Sequence, residues 1–226
     1  MTLGVPRVHH RVTDSTNARA RELAAHGAPH GTLVTAREQT AGRGRQGRTW
    51  VAPPGRALLC SVIIRDPPRL LPLAAGVAVA DVAGPDAAVK WPNDVLVDGR
   101  KVAGILVEGR PAEGWAVIGI GLNVALDIDE LPPELRATAG TLGLDQSEVE
   151  LVLDRLLDSL DRWLVAGDDA VLSAIHERDA LRGREVRWAG GAGVADGLDE
   201  RGRLRVLTDD GEIVLDAGEV HLQKDH

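Results

Sequence analysis

Lys90–Glu108 reads KWPNDVLVDGRKVAGILVE. Apolar-rich runs flank Asp98-Gly99, a pair that accepts the positive φ angles of a tight two-residue turn, so the stretch is expected to fold as a β-hairpin. Just upstream, AAVKW is a buried strand candidate stopped by Pro92; downstream, GWAVIGIGLNV is another. Further out, GTLVTAREQ and ALLCSVIIR supply two more strands. DSTNARARELAAHG opens on the cap-type residues Asp14, Ser15 and Thr16 and closes at Gly27, which sets a helix over about Asn17 to His26. LLPLAAGVAVADVAGP is an apolar helix stopped by Gly84 and Pro85. Because hairpins outnumber βαβ units, the expected class is α/β of the α+β kind, with a mixed or antiparallel sheet flanked by helices.

After a proline-rich connection, SEVELVLDRLLDSLDRWLVAG supplies Ser147 and Glu150 as a capping box. Val149, Val152, Leu153, Leu156, Leu160, Trp163 and Leu164 recur at helical spacing, which places Trp163 in the core. DDAVLSAIHERDALRG reads as one more helix. From about Gly183 the pattern changes to short strands separated by glycine-rich turns, as expected of a small β-barrel of SH3 size. The boundary is expected near Arg182, giving a large unit over 1–181 and a small one over 182–226.

The 226-residue chain is 44% hydrophobic, enough for a sizeable core, and its net charge of −8 opposes a main role in coating nucleic acid, whose footprint is basic. With no Phe or Tyr and five Trp, that core has to come from Val, Leu, Ile and Ala. Cys60 is the sole cysteine, so no intramolecular disulfide forms; it sits in an apolar run and reads as a small core residue in a reducing compartment. The amino-terminal segment lacks the apolar run of a secretory signal, and no stretch approaches the ~18 apolar residues of a membrane span. A soluble cytoplasmic protein with no membrane partner is expected.

Against this acidic background, Glu38–Trp50 reads EQTAGRGRQGRTW. Gly42–Thr49 comes close to a Walker A motif, but a P-loop has to open a helix, and Pro53 and Pro54 forbid one; Arg48 also stands where the P-loop lysine belongs. A nucleic-acid tail of the RGG type would repeat, and this stretch does not. A plain solvated loop explains scattered polar residues, but not Arg43, Arg45 and Arg48 alternating with glycines and closed by a tryptophan. Glycines let backbone fold closely over a ligand. Guanidinium forks grip phosphate or carboxylate. Trp50 offers a flat face for a base. Repulsion among the arginines is expected to keep the loop loose until an anionic ligand arrives.

The hairpin has the opposite character. Lys90 and Lys101 are the only lysines before Lys224 in a chain that otherwise uses Arg, which suits compact point charges at those places; surface lysines flanking strands are the competing reading. Asn93-Asp94 after Trp91-Pro92 fits a plain turn equally well. Gly104 inside a strand points to close approach by a ligand or another backbone.

The motifs DSTN, EQTAGRGRQGRTW, KWPND, KVAGILVE and GIGLN, in that order and followed by a small β-barrel, resemble the biotin–protein ligases over nearly the whole chain. Any one of them alone is weak; the arginine-glycine loop together with KWPND is highly specific. The resemblance implies a class II synthetase-like catalytic domain before the barrel. It implies that the biotin carboxylate attacks the α-phosphate of Mg-ATP, giving biotinoyl-5'-AMP and pyrophosphate. A lysine amine on the biotin carboxyl carrier domain of an acyl-CoA carboxylase then attacks the acyl-adenylate. Fixed cations would offset the repulsion of the two anions and the charge that builds on the α-phosphoryl oxygens.

Carried over residue by residue, the resemblance assigns Ser15, Thr16 and Gln39 to hydrogen bonds with the ureido ring of biotin, Arg43, Gly44 and Arg45 to the loop that closes over its tail and the adenylate, and Asn17 and Gly104 to biotin contact. It sets Arg45 and Lys101 beside the carboxylate and α-phosphate, with Lys101 the main electrostatic catalyst. It gives Arg48, Trp50, Lys90, Asn93 and Asn123 to the nucleotide, Trp50 near the adenine. Asp94 either orients or deprotonates the acceptor lysine, or serves the hairpin turn. The resemblance does not name the Mg²⁺ ligands, and it is compatible with a homodimer. Repressor-type relatives carry a helix-turn-helix before the ligase domain; DSTN begins at residue 14, so a ligase without DNA binding is expected. The lack of Phe and Tyr implies an adenine pocket packed by aliphatic or polar side chains. One rival is a lipoate–protein ligase, which runs the same two steps on a related fold but shows a serine-glycine-glycine loop in place of GRGRQGR. A rival of another kind is a non-catalytic binder of single-stranded nucleic acid using the arginine loop and Trp side chains.

Overall fold

The computed structural model describes residues 3–216 and 218–222. In chain order it forms strand β1 (Arg7–His10), helix α1 (Thr16–Ala25), strands β2 (Leu33–Ala36) and β3 (Ala57–Arg65), and helix α2 (Leu71–Ala83). Strands β4 (Ala88–Lys90), β5 (Asp94–Val97), β6 (Arg100–Arg110) and β7 (Trp115–Asn123) follow, then the short helix α3 (Pro133–Arg136), α4 (Val149–Leu164) and α5 (Asp168–Glu177). Strands β8 (Glu185–Trp188), β9 (Gly191–Leu198), β10 (Leu204–Thr208), β11 (Gly211–Leu215) and β12 (His221–Leu222) complete the described chain.

The first seven strands form one sheet in the order β1-β2-β3-β7-β6-β5-β4. Only β1–β2 is parallel, which makes the sheet mixed. The hairpin turn lies where the sequence puts it, with Asp98 at φ 50° and Gly99 at φ 71°; both are left-handed, as a two-residue turn between twisted strands requires. β1 has no counterpart in the sequence-based reading. RVHH shows no apolar alternation because it is an edge strand with mostly exposed side chains, held by its pairing to β2.

Alternation along the central strands divides the sheet into two faces. Leu58, Cys60, Val62 and Ile64 of β3, and Ile118, Ile120 and Leu122 of β7, join one large core with α2 and the buried side of α4. α2 is apolar on every side because the sheet, α4 and α5 cover it. Burial pushes the Cys60 thiol up to about 12, consistent with an inert core residue. The opposite face carries a small cluster, Ile63, Trp115 and Val117 against Ala20 and Ala24 of α1.

Two local expectations change. The capping box is Asp145 with Glu148, two residues before the expected pair Ser147 and Glu150; Asp145 accepts from the Ser147 backbone N–H at 2.8 Å and opens a 3₁₀ turn that runs into α4. A Ser147 cap would leave that turn uncapped. Trp163 is half-buried at the core edge, where its indole N–H donates to Asp81 at 2.7 Å. Asp81 also accepts from the Ser159 hydroxyl at 2.9 Å and pairs with Arg178 at 3.1 Å, joining α2 to α4 and α5.

The last five strands make an antiparallel sheet in the order β11-β10-β9-β8-β12. Its Val186, Ala195, Leu204 and Val206 belong to the same core as α2. The turn before β10 presses on α2: a Cβ at Gly202 would lie 2.7 Å from Leu73 Cδ1. The Gly202 carbonyl also accepts from the Trp91 indole N–H at 3.0 Å. Among the described residues, no helix is long and apolar enough to cross a membrane.

Candidate active site

The face that carries α1 holds, at two-residue intervals, Gly104, Leu106 and Glu108 on β6 and Gly119, Gly121 and Asn123 on β7, with Ser61 on β3. Ser61 pairs with Gly119, and Gly104 with Gly121. The glycines leave a trough. A Cβ at Gly121 would lie 2.4 Å from Trp50 Cε2, one at Gly104 2.9 Å from Trp50 Cζ3, and one at Gly119 2.0 Å from Asn17 Oδ1. The close approach expected at Gly104 is therefore made by the Trp50 indole.

A cavity of about 550 Å³ lies over this trough. Every candidate named from the sequence lines it: Ser15, Thr16, Asn17, Gln39, Arg43, Gly44, Arg45, Arg48, Trp50, Lys90, Asn93, Asp94, Lys101, Gly104 and Asn123. Ser15 caps α1 by accepting from the Ala18 N–H, which brings Thr16 and Asn17 to the start of the helix beside the sheet. The arginine loop is clipped at its neck: the Trp50 N–H donates to the Gly42 carbonyl at 3.0 Å and the Gly44 N–H to the Arg48 carbonyl at 2.8 Å. Gly42 has to be glycine, since a Cβ there would lie 2.5 Å from the Trp50 carbonyl oxygen. Residues 45–47 make one 3₁₀ turn and 48 is extended, so no P-loop helix opens there.

The arginines spread apart. Arg43 is exposed, Arg45 donates to Asn93 Oδ1 at 3.0 Å, and Arg48 pairs with Glu219. Lys101 Nζ lies 2.7 Å from Asp94 Oδ1 and 5.8 Å from the centre of the Trp50 ring. Asn93 also donates to Asp94 Oδ1 at 3.1 Å and to the Ile105 carbonyl at 3.2 Å, tying the KWPND turn to β6. Burial pushes the Lys90 ammonium below the usual lysine range; Asp94 opposes that shift, and the nearby Lys101 charge adds to it. Among the described residues, three buried side-chain polar atoms lack a hydrogen-bond partner, and two belong to this cavity: the donor Trp50 Nε1 and the acceptor Asn123 Oδ1.

Other wall residues went unnoticed in the sequence. Leu131 and Leu135 of the proline-rich connection supply an aliphatic wall, and Gly218–Leu222, which include Glu219 and His221, a mixed one. Ser61 and Glu108 sit beneath DSTN. Ser61 had a signal, being the one hydroxyl in the apolar run ALLCSVIIR. So did Gly119, Gly121 and Asn123, whose spacing in GIGLN is the strand period. Glu219 had none, since it is 171 residues from Arg48.

The fold and this cavity define the class: the chain belongs to the biotin/lipoate A/B protein ligase family, whose sequence model matches residues 9–124. Within that class it is 37% identical over 234 residues to the biotin–[acetyl-CoA-carboxylase] ligase of Mycobacterium tuberculosis, covering 93% of this chain and 87% of that one. It is 41% identical over 152 residues to the bifunctional ligase/repressor BirA of Bacillus subtilis, covering 62% of this chain and 47% of that one, so the match spans about half that relative's length. Its structure is similar to that of the biotin protein ligase from Aquifex aeolicus in complex with biotin and ATP, with TM-score 0.80 and 30% identity, covering 97% and 99% of the two chains.

Proposed function

We propose that this chain is a biotin–protein ligase that forms biotinoyl-5'-AMP from biotin and ATP and passes the biotinyl group to a lysine of a biotin carboxyl carrier domain of an acyl-CoA carboxylase. The observation that carries the reading is convergence: Arg45 from a glycine-rich loop and Lys90 and Lys101 from a stiff hairpin line one cavity with the hydrogen-bonding group Ser15, Thr16 and Gln39. One end suits a polar ring; the other suits a carboxylate meeting a phosphate.

In this reading Lys101 and Arg45 neutralise the biotin carboxylate and the α-phosphoryl oxygens as the carboxylate oxygen bonds to phosphorus and pyrophosphate leaves. Lys101 then exchanges its partner Asp94 for the reacting anions. Asp94, so released, takes the proton of the acceptor amine as its nitrogen attacks the acyl carbon and AMP departs. Trp50 Nε1 and Asn123 Oδ1, buried and unpartnered, would pair with the nucleotide, as would Arg48, Lys90 and Asn93. The lining carboxylates Asp94 and Glu219 are each paired with a cation, and the described residues hold no cluster of three metal-ligating side chains. That fits Mg²⁺ arriving on the nucleotide phosphates with its own waters. A cytoplasmic setting, with ATP and the carboxylase at hand and no DNA partner, belongs to the same reading. So does a division near Arg182 into a catalytic unit and a small β unit.

The test is to mix the protein with biotin, Mg-ATP and a carrier domain and to follow the carrier's mass. One biotinyl increment on one lysine is expected, and none with lipoate. Transfer of lipoate in place of biotin, or tight binding of an oligonucleotide with no transfer, would sink the reading.

A further inference from the structure

Beneath the cavity runs a line of buried polar side chains whose proton directions can be counted. We propose that Ser61 and Glu108 are positioning residues that fix the Thr16 hydroxyl as a hydrogen-bond acceptor for an N–H of the ligand ring. This rests on the biotin reading, in which that ring is a cyclic urea with two N–H donors and one carbonyl.

Glu108 ends the line. Its Oε1 accepts from Arg21 and its Oε2 from Asn17 Nδ2, each at 2.9 Å. Asn17 Nδ2 also donates to the Leu106 carbonyl at 3.3 Å, so both amide protons stay within the protein. Asn17 Oδ1 lies 2.6 Å from Ser61 Oγ. That oxygen has no proton to offer, so the Ser61 proton lies between them. Ser61 Oγ then presents a lone pair to Thr16 Oγ1, 2.8 Å away, and draws the Thr16 proton. The other acceptor within reach, Gln39 Oε1 at 3.1 Å, is the longer contact and already takes the Thr16 backbone N–H at 2.7 Å, so Ser61 is the stronger hold on that proton. With its proton drawn to Ser61, Thr16 keeps only lone pairs for the cavity it lines.

Gln39 is oriented by the same logic. Its Oε1 accepts from the Thr16 backbone N–H at 2.7 Å, which turns Nε2 outward as a donor. A hydroxyl acceptor beside an amide donor matches the N–H and C=O of a cyclic urea. A dithiolane ring offers neither group. Asn17, with its amide protons and its oxygen engaged and its side chain pressed on Gly119, acts through this line and not on the ligand.

Ser61→Ala removes the middle of the line. Its biotin KM should rise about tenfold, as for one lost buried hydrogen-bond partner, with kcat and the ATP KM within about twofold of wild type. A purely structural role would move all three together. Ser61→Cys, which keeps the volume and a weak donor, should fall between, and it serves if the alanine variant does not fold. Biotin methylated on one ureido nitrogen gives the second readout: one of the two isomers should lose most of its penalty in Ser61→Ala, because the acceptor that its methyl blocks is no longer fixed. Unchanged biotin KM in both variants, or equal penalties for both isomers in wild type and variant, would overturn the proposal. A wild-type protein that releases no pyrophosphate with biotin and ATP fails earlier, and that failure belongs to the function itself.

Discussion

Alanine at Gly121 would add a methyl group 2.4 Å from Trp50 Cε2 and 2.7 Å from its Cζ2 and Nε1. Carbon atoms rest at about 3.5 Å, so ring and methyl must separate by about 1 Å. Gly121 lies on β7, which is paired on one side with β3 and on the other with β6, whereas Trp50 ends a largely exposed loop. Forcing the sheet would cost about 1–3 kcal/mol, so the loop yields first. Trp50 then lifts, and its hydrogen bond to Gly42 carries the arginines with it. A misplacement of about 1 Å at reacting groups costs up to about 100-fold in rate. The expected outcome is a fall of that order in pyrophosphate release at saturating biotin and ATP, with the melting temperature lowered by no more than about 4 °C. Gly104→Ala, whose added carbon would lie 2.9 Å from the ring, should show a milder fall. Wild-type kinetics in Gly121→Ala would mean that Trp50 does not rest on the trough during the reaction. A large drop in melting temperature would mean that the sheet, not the loop, gives way.

Lys101→Ala should keep calorimetrically measurable biotin binding and lose about 10²–10³-fold in adenylate formation; undiminished pyrophosphate release would refute its role. Lys90, depressed by burial, sheds its proton at a lower pH than the unfolded chain does. The native state therefore gains stability as pH rises from the lowered value to the usual lysine value, while the cavity loses a positive charge over the same window. Lys90→Arg, which keeps its charge, should move the alkaline limb of kcat/KM for ATP to higher pH, and an unmoved limb would count against Lys90 as a phosphate contact. Asp145→Ala should lower the melting temperature with unaltered kinetics, since it caps the turn into α4.

Strands, hairpin and helices were legible because their signals are local: Asp98-Gly99 for the turn, the all-apolar run of ALLCSVIIR for β3, cap residues for α1. The arginine loop and KWPND stood out for the same reason, by composition against an acidic, lysine-poor chain. What stayed hidden depends on contacts distant in sequence. Ser61 gains meaning only when β3 brings it under Asn17, and Glu219 only when the last sheet folds back onto Arg48. β1 was hidden because an exposed edge strand needs no apolar alternation. The capping box moved because a 3₁₀ turn precedes α4, and both Asp145 with Glu148 and Ser147 with Glu150 satisfy the local pattern.

Gly218–Leu222, which close one side of the cavity, come after every other wall residue in the chain. During synthesis the sheet with its trough can fold while that side still stands open to water. An acyl-adenylate made at that stage would diffuse away and acylate whatever amine it met. Chains stalled before residue 218 should therefore leak activated acid that the whole enclosure retains.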